Sequence, residues 1–372
     1  MTASLPGLVS REPASPKHGA MEARRFVARS GRTLDFTPLG FGAVPLGNYL
    51  QSLDEADCDR TVEAAWDCGI RYFDTAPVYG LGLADTRVGR VLRTLPREQF
   101  VISTKVGRTL LACAEGEQNT KIFVNTPLFR FEFDYSYDGV MRSFEESLRR
   151  LGLERVDILY VHDLDQRVHG DYERFEQRLR ELFDLGGWRA LDELRAAGVI
   201  SAIGAGVNEW QPCVRLLELA DPDLFLLAGR YTLLEQPPSD AFFPKCAERG
   251  ARVVIGGPYN SGVLAGKGRY NYAEVPLAIA QRVDALEREC ASFGVSLKAA
   301  ALQFVVAHPL VVSVIPGAGS AIEVTDNRAA LEEPIPLSLW QRLKECGLLE
   351  TGAATPSEYA DSTLRSRHQH GA

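Results

Sequence analysis

The feature that most constrains the fold is a regular alternation of short apolar runs with longer stretches of helical periodicity. Each apolar run suits a buried parallel strand, and in chain order the runs read LGFGAV, IRYFDT, FVISTKV, VDILYVH, ISAIGAGV, LFLLAG, RVVIGG and VVSVIPG. The segments between them space their apolar residues as amphipathic helices do; they cover residues 54–68, 83–94, 138–151, 187–197, 210–220, 239–249, 276–293 and 322–331.

The segment DGVMRSFEESLRRLG shows the helical pattern well. Val140, Phe144, Leu148 and Leu151 share one face, and the Arg and Glu residues occupy the other. Gly152 follows at the position where a helix C-terminus favours glycine. Eight strand–helix units of this kind, with no break in composition, favour a (β/α)8 TIM barrel.

A doubly wound nucleotide-binding sheet is the alternative fold, but its GxGxxG fingerprint is absent. GLGLAD, GAGVNE and GAGSAI each lack the final glycine. Before the first strand, RRFVARSGRTLDF predicts an N-terminal β-hairpin that plugs the bottom of the barrel. Two long connections, roughly residues 106–136 and 163–186, are predicted to be functional loops at the C-terminal mouth of the barrel.

The chain of 372 residues fits one large domain, which we place at residues 21–350. Residues 1–20 are rich in Pro, Ser, Gly and Ala, which predicts a disordered N-terminal extension. Residues 351–372 are predicted to form a polar C-terminal tail.

Charge and cysteine usage exclude several classes of protein. The net charge of −8 provides no basic surface for nucleic acid or an anionic membrane. We find neither an apolar run that would cross a bilayer nor a secretory signal pattern. Seven scattered cysteines without a CxxC pair predict reduced thiols in a cytoplasmic protein and no metal site. The sequence leaves the oligomeric state open.

Titratable residues end three consecutive predicted strands. Asp74 ends the second strand, Lys105 the third and His162 the fourth, and Tyr79 lies on the loop just after the second. Each has an ordinary structural explanation by itself, as a helix cap, a snorkelling lysine or a buried histidine. Because the carboxyl ends of barrel strands converge on one mouth, the four together indicate a catalytic site.

These four side chains suit proton transfer. A phenol ordinarily titrates near pH 10, and a neighbouring ammonium favours its ionised form. Lys105 could therefore activate Tyr79, Asp74 could orient Lys105, and His162 could bond the substrate oxygen. Protein side chains carry no hydride, so a redox reaction at this site implies a nicotinamide cofactor.

The motifs FDTAPVYG, ISTKVG, DILYVHD and VIPGA stand in an order and spacing that resemble the aldo-keto reductase family. The resemblance extends from about Arg24 to Leu331. It implies a catalytic tetrad of Asp74, Tyr79, Lys105 and His162 with Tyr79 as the general acid/base. It also implies an extended NAD(P) that lies across the mouth of the barrel.

The resemblance also implies which residues contact the cofactor. Gly42 corresponds to a first-loop glycine where the backbone approaches the cofactor, and Asn208 to the asparagine that holds the nicotinamide carboxamide. The remaining implied contacts belong to the pyrophosphate loop, at Ser261, Gly262 and Leu264, and to the adenosine end, at Gly317, Gly319, Ser320 and Asn327.

The sequence departs from the family pattern where many members grip the 2′-phosphate of NADP. Gly317 replaces their lysine and Glu323 their arginine. A carboxylate repels a phosphate but can accept hydrogen bonds from a free ribose hydroxyl. We therefore expect NAD to be preferred over NADP.

A second departure concerns the nicotinamide ring. Gly256 replaces the tyrosine that usually stacks under the ring, and Ala228 replaces a usual glutamine. Arg230 and Tyr231 are candidates to compensate.

GFGAVPLGN, AGRYTLLEQ and the missing phosphate grip together resemble the sugar-dehydrogenase branch of the family. That resemblance implies a small sugar or aldehyde as substrate, and oxidation of the anomeric hydroxyl of an aldose such as L-fucose, D-arabinose or L-galactose to a lactone. Three alternatives stay open: a pyridoxal 4-dehydrogenase, an NADPH-dependent aldehyde or ketone reductase, and a non-catalytic cofactor-binding subunit. Candidate substrate contacts are the loop 44–49 and the aromatic residues Tyr49, Phe129, Phe131 and Trp210.

Overall fold

The structure is a computed structural model that describes residues 20–356 except 121, 238–239, 267 and 272. The predicted N-terminal extension, apart from Ala20, and the predicted tail beyond residue 356 lie outside these described residues. Those two predictions, and the domain bounds 21–350, stay predictions.

The strands form a barrel with two hairpins. The N-terminal hairpin pairs β1 (Arg24–Val27) with β2 (Thr33–Phe36), and a second pairs β6 (Arg108–Ala112) with β7 (Phe129–Phe133). The barrel strands are β3 (Phe41–Gly42), β4 (Tyr72–Asp74), β5 (Val101–Val106), β8 (Ile158–His162), β9 (Ala202–Val207), β10 (Leu224–Ala228), β11 (Arg252–Gly256) and β12 (Val311–Ile315).

The eight barrel strands pair in the order β3-β4-β5-β8-β9-β10-β11-β12, and every pairing is parallel. The two ends of the sheet meet through parallel bridges from Leu39 to Val314 and from Gly42 to Gly317. The predicted TIM barrel is therefore confirmed.

Helices connect the barrel strands and surround them, as a parallel barrel requires. They are α1 (Glu55–Asp67), α2 (Leu83–Leu92), α3 (Tyr137–Leu151), α4 (Gln166–His169), α5 (Tyr172–Asp184), α6 (Gly187–Ala196), α7 (Gln211–Leu219), α8 (Phe242–Glu248), α9 (Leu277–Ser292), α10 (Leu297–Ala307), α11 (Ala321–Glu332) and α12 (Leu337–Glu345).

Helix α3 shows how local sequence sets an element. Ser136 caps its N-terminus by accepting a hydrogen bond from the Gly139 N–H, and Gly152 ends it with a left-handed φ of 63°. Val140 and Phe144 on its apolar face are buried. The predicted glycine cap is present.

The N-terminal hairpin closes the bottom of the barrel. Phe26, Leu34 and Phe36 pack with the inward-facing residues of the strands, among them Tyr72 and Tyr160. The ring of Phe36 meets that of Tyr72 edge-on, with centroids 4.9 Å apart. The opposite end, where the strands have their carboxyl termini, is left for the site.

Two expectations about connections need correction. The segment 106–136 contains the β6–β7 hairpin, and the segment 163–186 contains α4 and α5, so neither is an irregular loop throughout. The helix predicted at 276–293 forms as α9 but packs outside against α12, and α10 packs on β12 and α11 in the ring. Helix α10 is apolar except for Lys298 and Gln303, so it lacks the amphipathic period that would have predicted it.

Two further features bear on the chemistry of the surroundings. Within the described residues no single helix is long and apolar enough to cross a membrane; α9 and α10 meet that criterion only as a pair bent by 96°. All seven cysteines are free thiols, and only Cys113 and Cys346 are not buried.

Candidate active site

Asp74, Lys105 and His162 converge at the mouth of the barrel. They stand at or near the carboxyl ends of β4, β5 and β8, which are adjacent in the sheet. Their exposed fractions are 2 %, 1 % and 5 %. Three titratable groups therefore share one buried layer, and such a layer is uncommon unless the groups are paired.

The pairing is explicit for Lys105 and Asp74. The Lys105 Nζ donates to Asp74 Oδ2 at 2.7 Å and to the backbone oxygen of Thr75 at 2.9 Å. Ser103 Oγ donates to Asp74 Oδ1 at 2.7 Å. Burial raises the pKa of Asp74, and the attraction of Lys105 opposes that rise. The carboxylate is held on both oxygens.

A glycine on the neighbouring strand makes room for the lysine. Gly206 lies on β9, and a Cβ added there would be 3.3 Å from Lys105 Cε and 3.5 Å from its Cδ. The apolar stem of Lys105 thus packs against a backbone that has no side chain. A side chain at position 206 would crowd the stem that carries the ammonium to Asp74.

Tyr79 follows β4 on a turn that contacts the loop after β3. Gly80 has a φ of 64°, and a Cβ there would lie 2.4 Å from the backbone oxygen of Gly47. The two backbone segments are therefore in contact through glycines. The half-buried Tyr79 ring has its centroid 4.7 Å from Lys105 Nζ. Its centroid is 5.8 Å from that of His162, and the two rings are nearly perpendicular.

His162 is a neutral imidazole in this environment. Burial lowers its pKa well below the ordinary value, and the charges of Arg108 and Lys105 lower it further. Its Nε2 lies 3.5 Å from Asp163 Oδ2. Its Nδ1 is buried and finds no hydrogen-bond partner among the described residues. A neutral imidazole can bond a substrate oxygen without adding charge.

Two charged residues that were not predicted from the sequence, Arg108 and Asp163, lie beside this group. Arg108 Nη2 is 2.7 Å from Asp163 Oδ2, and Asn208 Nδ2 donates to Asp163 Oδ1 at 2.9 Å. Asp163 directly follows β8, and Arg108 follows β5 after Gly107. A charged residue just after a strand end at the mouth was a usable signal. Asn208 is also anchored by its N–H and its Nδ2 on Asp165.

Glycines line the side of the mouth where β3 and β12 meet. Gly42 bridges Gly317, and a Cβ at Gly317 would lie 3.1 Å from the Pro45 ring. The backbone here is bare and leads to Ser320, the N-cap of the twelve-residue α11. A bare backbone beside a helix N-terminus fits an anionic dinucleotide.

Glu323 has one carboxylate oxygen engaged at the start of α11. It is half-buried, and its Oε2 accepts the Gly319 N–H at 2.7 Å, while Ser320 Oγ accepts the Glu323 N–H at 3.3 Å. Ser320 thus caps α11, and the Glu323 carboxylate bonds the N–H one residue before the cap, a variation on the capping box. The carboxylate nevertheless stands at the N-terminus of α11, beside the backbone of Gly319.

The loop after β11 adjoins α11. Tyr259 OH donates to Asn327 Oδ1 at 3.0 Å, so the two segments are linked. Ser261 and Gly262 both have positive φ, 63° and 105°. The N–H groups of Gly262 and Leu264 both donate to Tyr259 O, and the Leu264 side chain is buried. Those two N–H groups are thus turned into the loop in this structure.

The two departures at the nicotinamide end lie side by side. Ala228 on β10 is in register with Gly256 on β11, so two neighbouring strand ends lack large side chains. Tyr231 does not compensate, because it is fully buried and stacks on Phe304 with centroids 5.2 Å apart. Arg230 is closer to the mouth, where its Nη2 binds Glu209 at 3.1 Å.

Phe123, an aromatic residue close to Tyr79, was not among those singled out from the sequence. The Phe123 ring centroid lies 6.4 Å from that of Tyr79 and 6.1 Å from that of Tyr49. Phe131 lies under the Arg108 guanidinium at 4.7 Å. Phe129 points to solvent, and Trp210 precedes α7 and packs on the core.

Comparison with known proteins gives consistent results. The aldo/keto reductase family model matches residues 38–348. A pyridoxal 4-dehydrogenase of Microbacterium luteolum is 43% identical over 345 residues, covering 89% of this chain and 99% of that protein. A D-threo-aldose 1-dehydrogenase of a Pseudomonas species is 39% identical, covering 87% and 98%. The holo form of an aldo-keto reductase from Bacillus halodurans superposes with a TM-score of 0.68 at 25% identity, covering 90% and 98%.

Proposed function

The chain belongs to the aldo/keto reductase family, and from this premise we propose that it is an NAD-dependent dehydrogenase that oxidises a cyclic hemiacetal to a lactone. The observation that carries the proposal is the contact of Lys105 with both Asp74 and the Tyr79 ring, at 2.7 Å and 4.7 Å. A buried ammonium beside a phenol is the arrangement that a general base of this type needs.

Each residue of the tetrad has its own role in the proposed reaction. Tyr79 accepts the proton of the hemiacetal hydroxyl, and the C–O bond becomes the lactone carbonyl as the hydride leaves the same carbon. Bound NAD supplies the acceptor for that hydride. Lys105 stabilises the phenolate form of Tyr79, Asp74 fixes Lys105, and neutral His162 bonds the reacting oxygen.

The proposed contacts with the cofactor follow from the groove. Gly42, Gly317 and Gly319 offer bare backbone along its wall, and Asn208 is held by two aspartates at the end of β9. Ser320 begins α11, and Ser261 and Asn327 belong to segments that Tyr259 links. We assign the nicotinamide end to Asn208 and the adenosine end to the N-terminus of α11.

The preference for NAD rests on the charge of Glu323. Its carboxylate caps α11, so a 2′-phosphate placed near the adenosine end would meet an anion rather than a cation. The favourable bond from Glu323 to a free ribose hydroxyl, expected from the sequence, is not needed for this argument. Repulsion of the phosphate is sufficient.

Two substrates suit the same step. An aldose in its ring form presents the anomeric hydroxyl, and the 39%-identical relative is named for an aldose. Pyridoxal is favoured by the 43%-identical relative and by Phe123 and Tyr49 near Tyr79, whose rings can stack on a pyridine. Pyridoxal also closes to a cyclic hemiacetal, so Tyr79 would have the same role for both.

Other functions fit the structure less well. An NADPH-dependent reductase would need a cation where Glu323 stands, and a non-catalytic subunit would have no use for the contacts within the tetrad. We further propose a cytoplasmic location, because free thiols persist in a reducing compartment.

The proposal is tested by NADH formation with L-fucose, D-arabinose, L-galactose and pyridoxal, each supplied with NAD or NADP. We expect turnover of at least one of them with NAD and a kcat/KM for NADP lower by tenfold or more. NADPH-dependent reduction of aldehydes, with no oxidation of any of the four, would refute it. Tyr79→Phe is the control that separates enzymatic from background reduction of NAD.

A further inference from the structure

An ion pair between Arg108 and Asp163 stands beside the tetrad and has no part in the proton transfer proposed above. The two side chains are 12% and 15% exposed, and Nη2 lies 2.7 Å from Oδ2. The rings of Phe131 and Phe133 lie 4.7 Å and 4.9 Å from the guanidinium carbon. The pair is thus largely removed from water, where leaving a charge without a partner is costly.

A second pair at the other end of β8 provides a comparison. Asp157 directly precedes the strand and Asp163 directly follows it. Asp157 Oδ2 binds Arg97 Nη2 at 2.7 Å. The exposed fractions of Asp157 and Arg97, 13% and 16%, are close to those of the Arg108–Asp163 pair. Asp157 Oδ2 also accepts the Ile102 N–H at 2.8 Å. The Arg97–Asp157 pair therefore links neighbouring backbone segments, so its role in holding the barrel together explains it.

The Arg108–Asp163 pair does not link backbone segments in this way. In the described part of the chain, the carboxylate of Asp163 accepts hydrogen bonds from no backbone N–H; its partners are the side chains of Arg108 and Asn208, with His162 Nε2 at 3.5 Å. Asp163 also has a φ of 52°, a left-handed conformation that costs a non-glycine residue free energy and is concentrated at functional sites.

Unsatisfied polar atoms flank Asp163 on both sides. Arg108 Nε and His162 Nδ1 are buried, and neither has a hydrogen-bond partner among the residues that the structure describes. An ionised carboxylate has about four acceptor positions, and Arg108 and Asn208 use two of them. The carboxylate therefore has capacity for a further donor, and it lies next to the imidazole that bonds the reacting oxygen.

We propose that Asp163, held by Arg108, is a specificity-determining residue that accepts a hydrogen bond from a substrate hydroxyl on the atom next to the reacting carbon. This inference rests on the proposed function, since it assumes a hydroxylated hemiacetal at the tetrad. A substrate that lacks the hydroxyl leaves a largely buried carboxylate short of a donor. Sites of this kind reject such analogues strongly.

The test compares two substrates that differ at one hydroxyl. D-Arabinose and 2-deoxy-D-ribose differ only in the hydroxyl on carbon 2, next to the anomeric carbon. The ratio of their kcat/KM values with NAD is measured for the wild-type chain, Asp163→Asn, Asp163→Ala and the matched control Asp157→Asn. The proportion of each sugar in its reactive ring form cancels when the ratios of the variants are compared with that of the wild type.

We expect the wild type to prefer D-arabinose by about tenfold to a hundredfold, the usual range for a hydrogen bond to a charged group. Asp163→Ala should bring the ratio close to one, and Asp163→Asn should fall between. Asp157→Asn should lower the melting temperature and leave the ratio unchanged. Circular dichroism checks that each variant is folded, and Asp163→Asn, which has the same shape as the native side chain, serves if the alanine variant is not.

The outcomes separate the inference from the function on which it rests. If the Asp163 variants lose activity equally for both sugars, Asp163 has only a structural role. That result would overturn the inference alone. Oxidation of pyridoxal with no oxidation of either sugar would also overturn the inference alone, because the ring atom bonded to the hemiacetal carbon of pyridoxal carries no hydroxyl. Turnover of none of these substrates by the wild type would overturn both the proposed function and the inference.

Discussion

Lys105→Met removes the charge that is proposed to stabilise the Tyr79 phenolate and keeps nearly the same side-chain length. The ammonium lies 4.7 Å from the ring centroid. At an effective dielectric constant of about 20, that separation corresponds to an attraction of about 3.5 kcal/mol. Because 1.36 kcal/mol is a factor of ten in rate, we expect kcat to fall by a few hundredfold.

The same substitution leaves Asp74 without its counter-charge, and this gives a second readout. Burial already raises the pKa of Asp74, so without Lys105 the folded variant retains a proton that the unfolded chain releases. A folded pKa above the unfolded value means stability that is present at low pH and lost as the pH rises. The melting temperature of the variant should therefore lie further below that of the wild type at pH 8 than at pH 5.

Stopped-flow or steady-state formation of NADH and thermal unfolding monitored by circular dichroism measure the two effects. Asp85→Asn is the matched control, because Asp85 is another fully buried carboxylate, paired with Arg150 at 2.9 Å, that does not touch Lys105. It should lower the melting temperature with a much smaller change in kcat. A kcat for Lys105→Met within about threefold of the wild type would refute the role assigned to this lysine.

Three further predictions concern space, charge and pH. Gly206→Ala places a methyl group 3.3 Å from Lys105 Cε and should lower kcat several-fold. The control Gly352→Ala, at a position with open space around it, should leave kcat unchanged. Equal kinetics for both variants would contradict the role given to packing at Gly206. Glu323→Gln should raise the kcat/KM for NADP relative to NAD, and an unchanged ratio would remove the charge argument for cofactor choice. Burial lowers the pKa of His308 to about 4, so on acidification the unfolded chain gains a proton that the folded chain does not. The free energy of unfolding should therefore fall by about 3 kcal/mol between pH 6.5 and 4. Urea unfolding should show a smaller loss for His308→Gln, and an unchanged loss would show that His308 does not titrate as described.

The barrel could be predicted from the sequence because its elements have local signatures. The eight apolar runs and the amphipathic helices between them are each visible within a short window, as in α3 with its Gly152 cap. Asp74, Lys105 and His162 could be placed together because parallel strands in a barrel end at one mouth. The order of strands then determined which side chains meet.

The elements that were missed lacked a local signal or had one that was overlooked. Seven of the eleven residues of α10 are buried, four of them alanines, so its sequence shows little amphipathic period. Helix α5 did have a signal, an Asp171 cap followed by Phe175, Leu179 and Leu182 at helical spacing, and the expectation of a loop was wrong there.

The finer part of the site depended on contacts across the fold. Nothing in the sequence near Phe123 indicates that its ring approaches Tyr79. The pairing of Arg108 with Asp163 joins residues 55 positions apart in sequence, and only the adjacency of β5 and β8 brings them together. The capping role of Glu323 was readable, since Ser320 and Glu323 have the spacing of a capping box.

The central claim, that Tyr79 and its partners oxidise a hemiacetal carbon with NAD, is tested most directly by following the hydrogen on that carbon. The purified chain is incubated with NAD and the substrate it oxidises best, deuterated at the hemiacetal carbon, and the products are examined by NMR. The account predicts one deuterium at nicotinamide C4 for each lactone formed. Deuterium retained in an unoxidised substrate, or product formation without transfer to the cofactor, would contradict it.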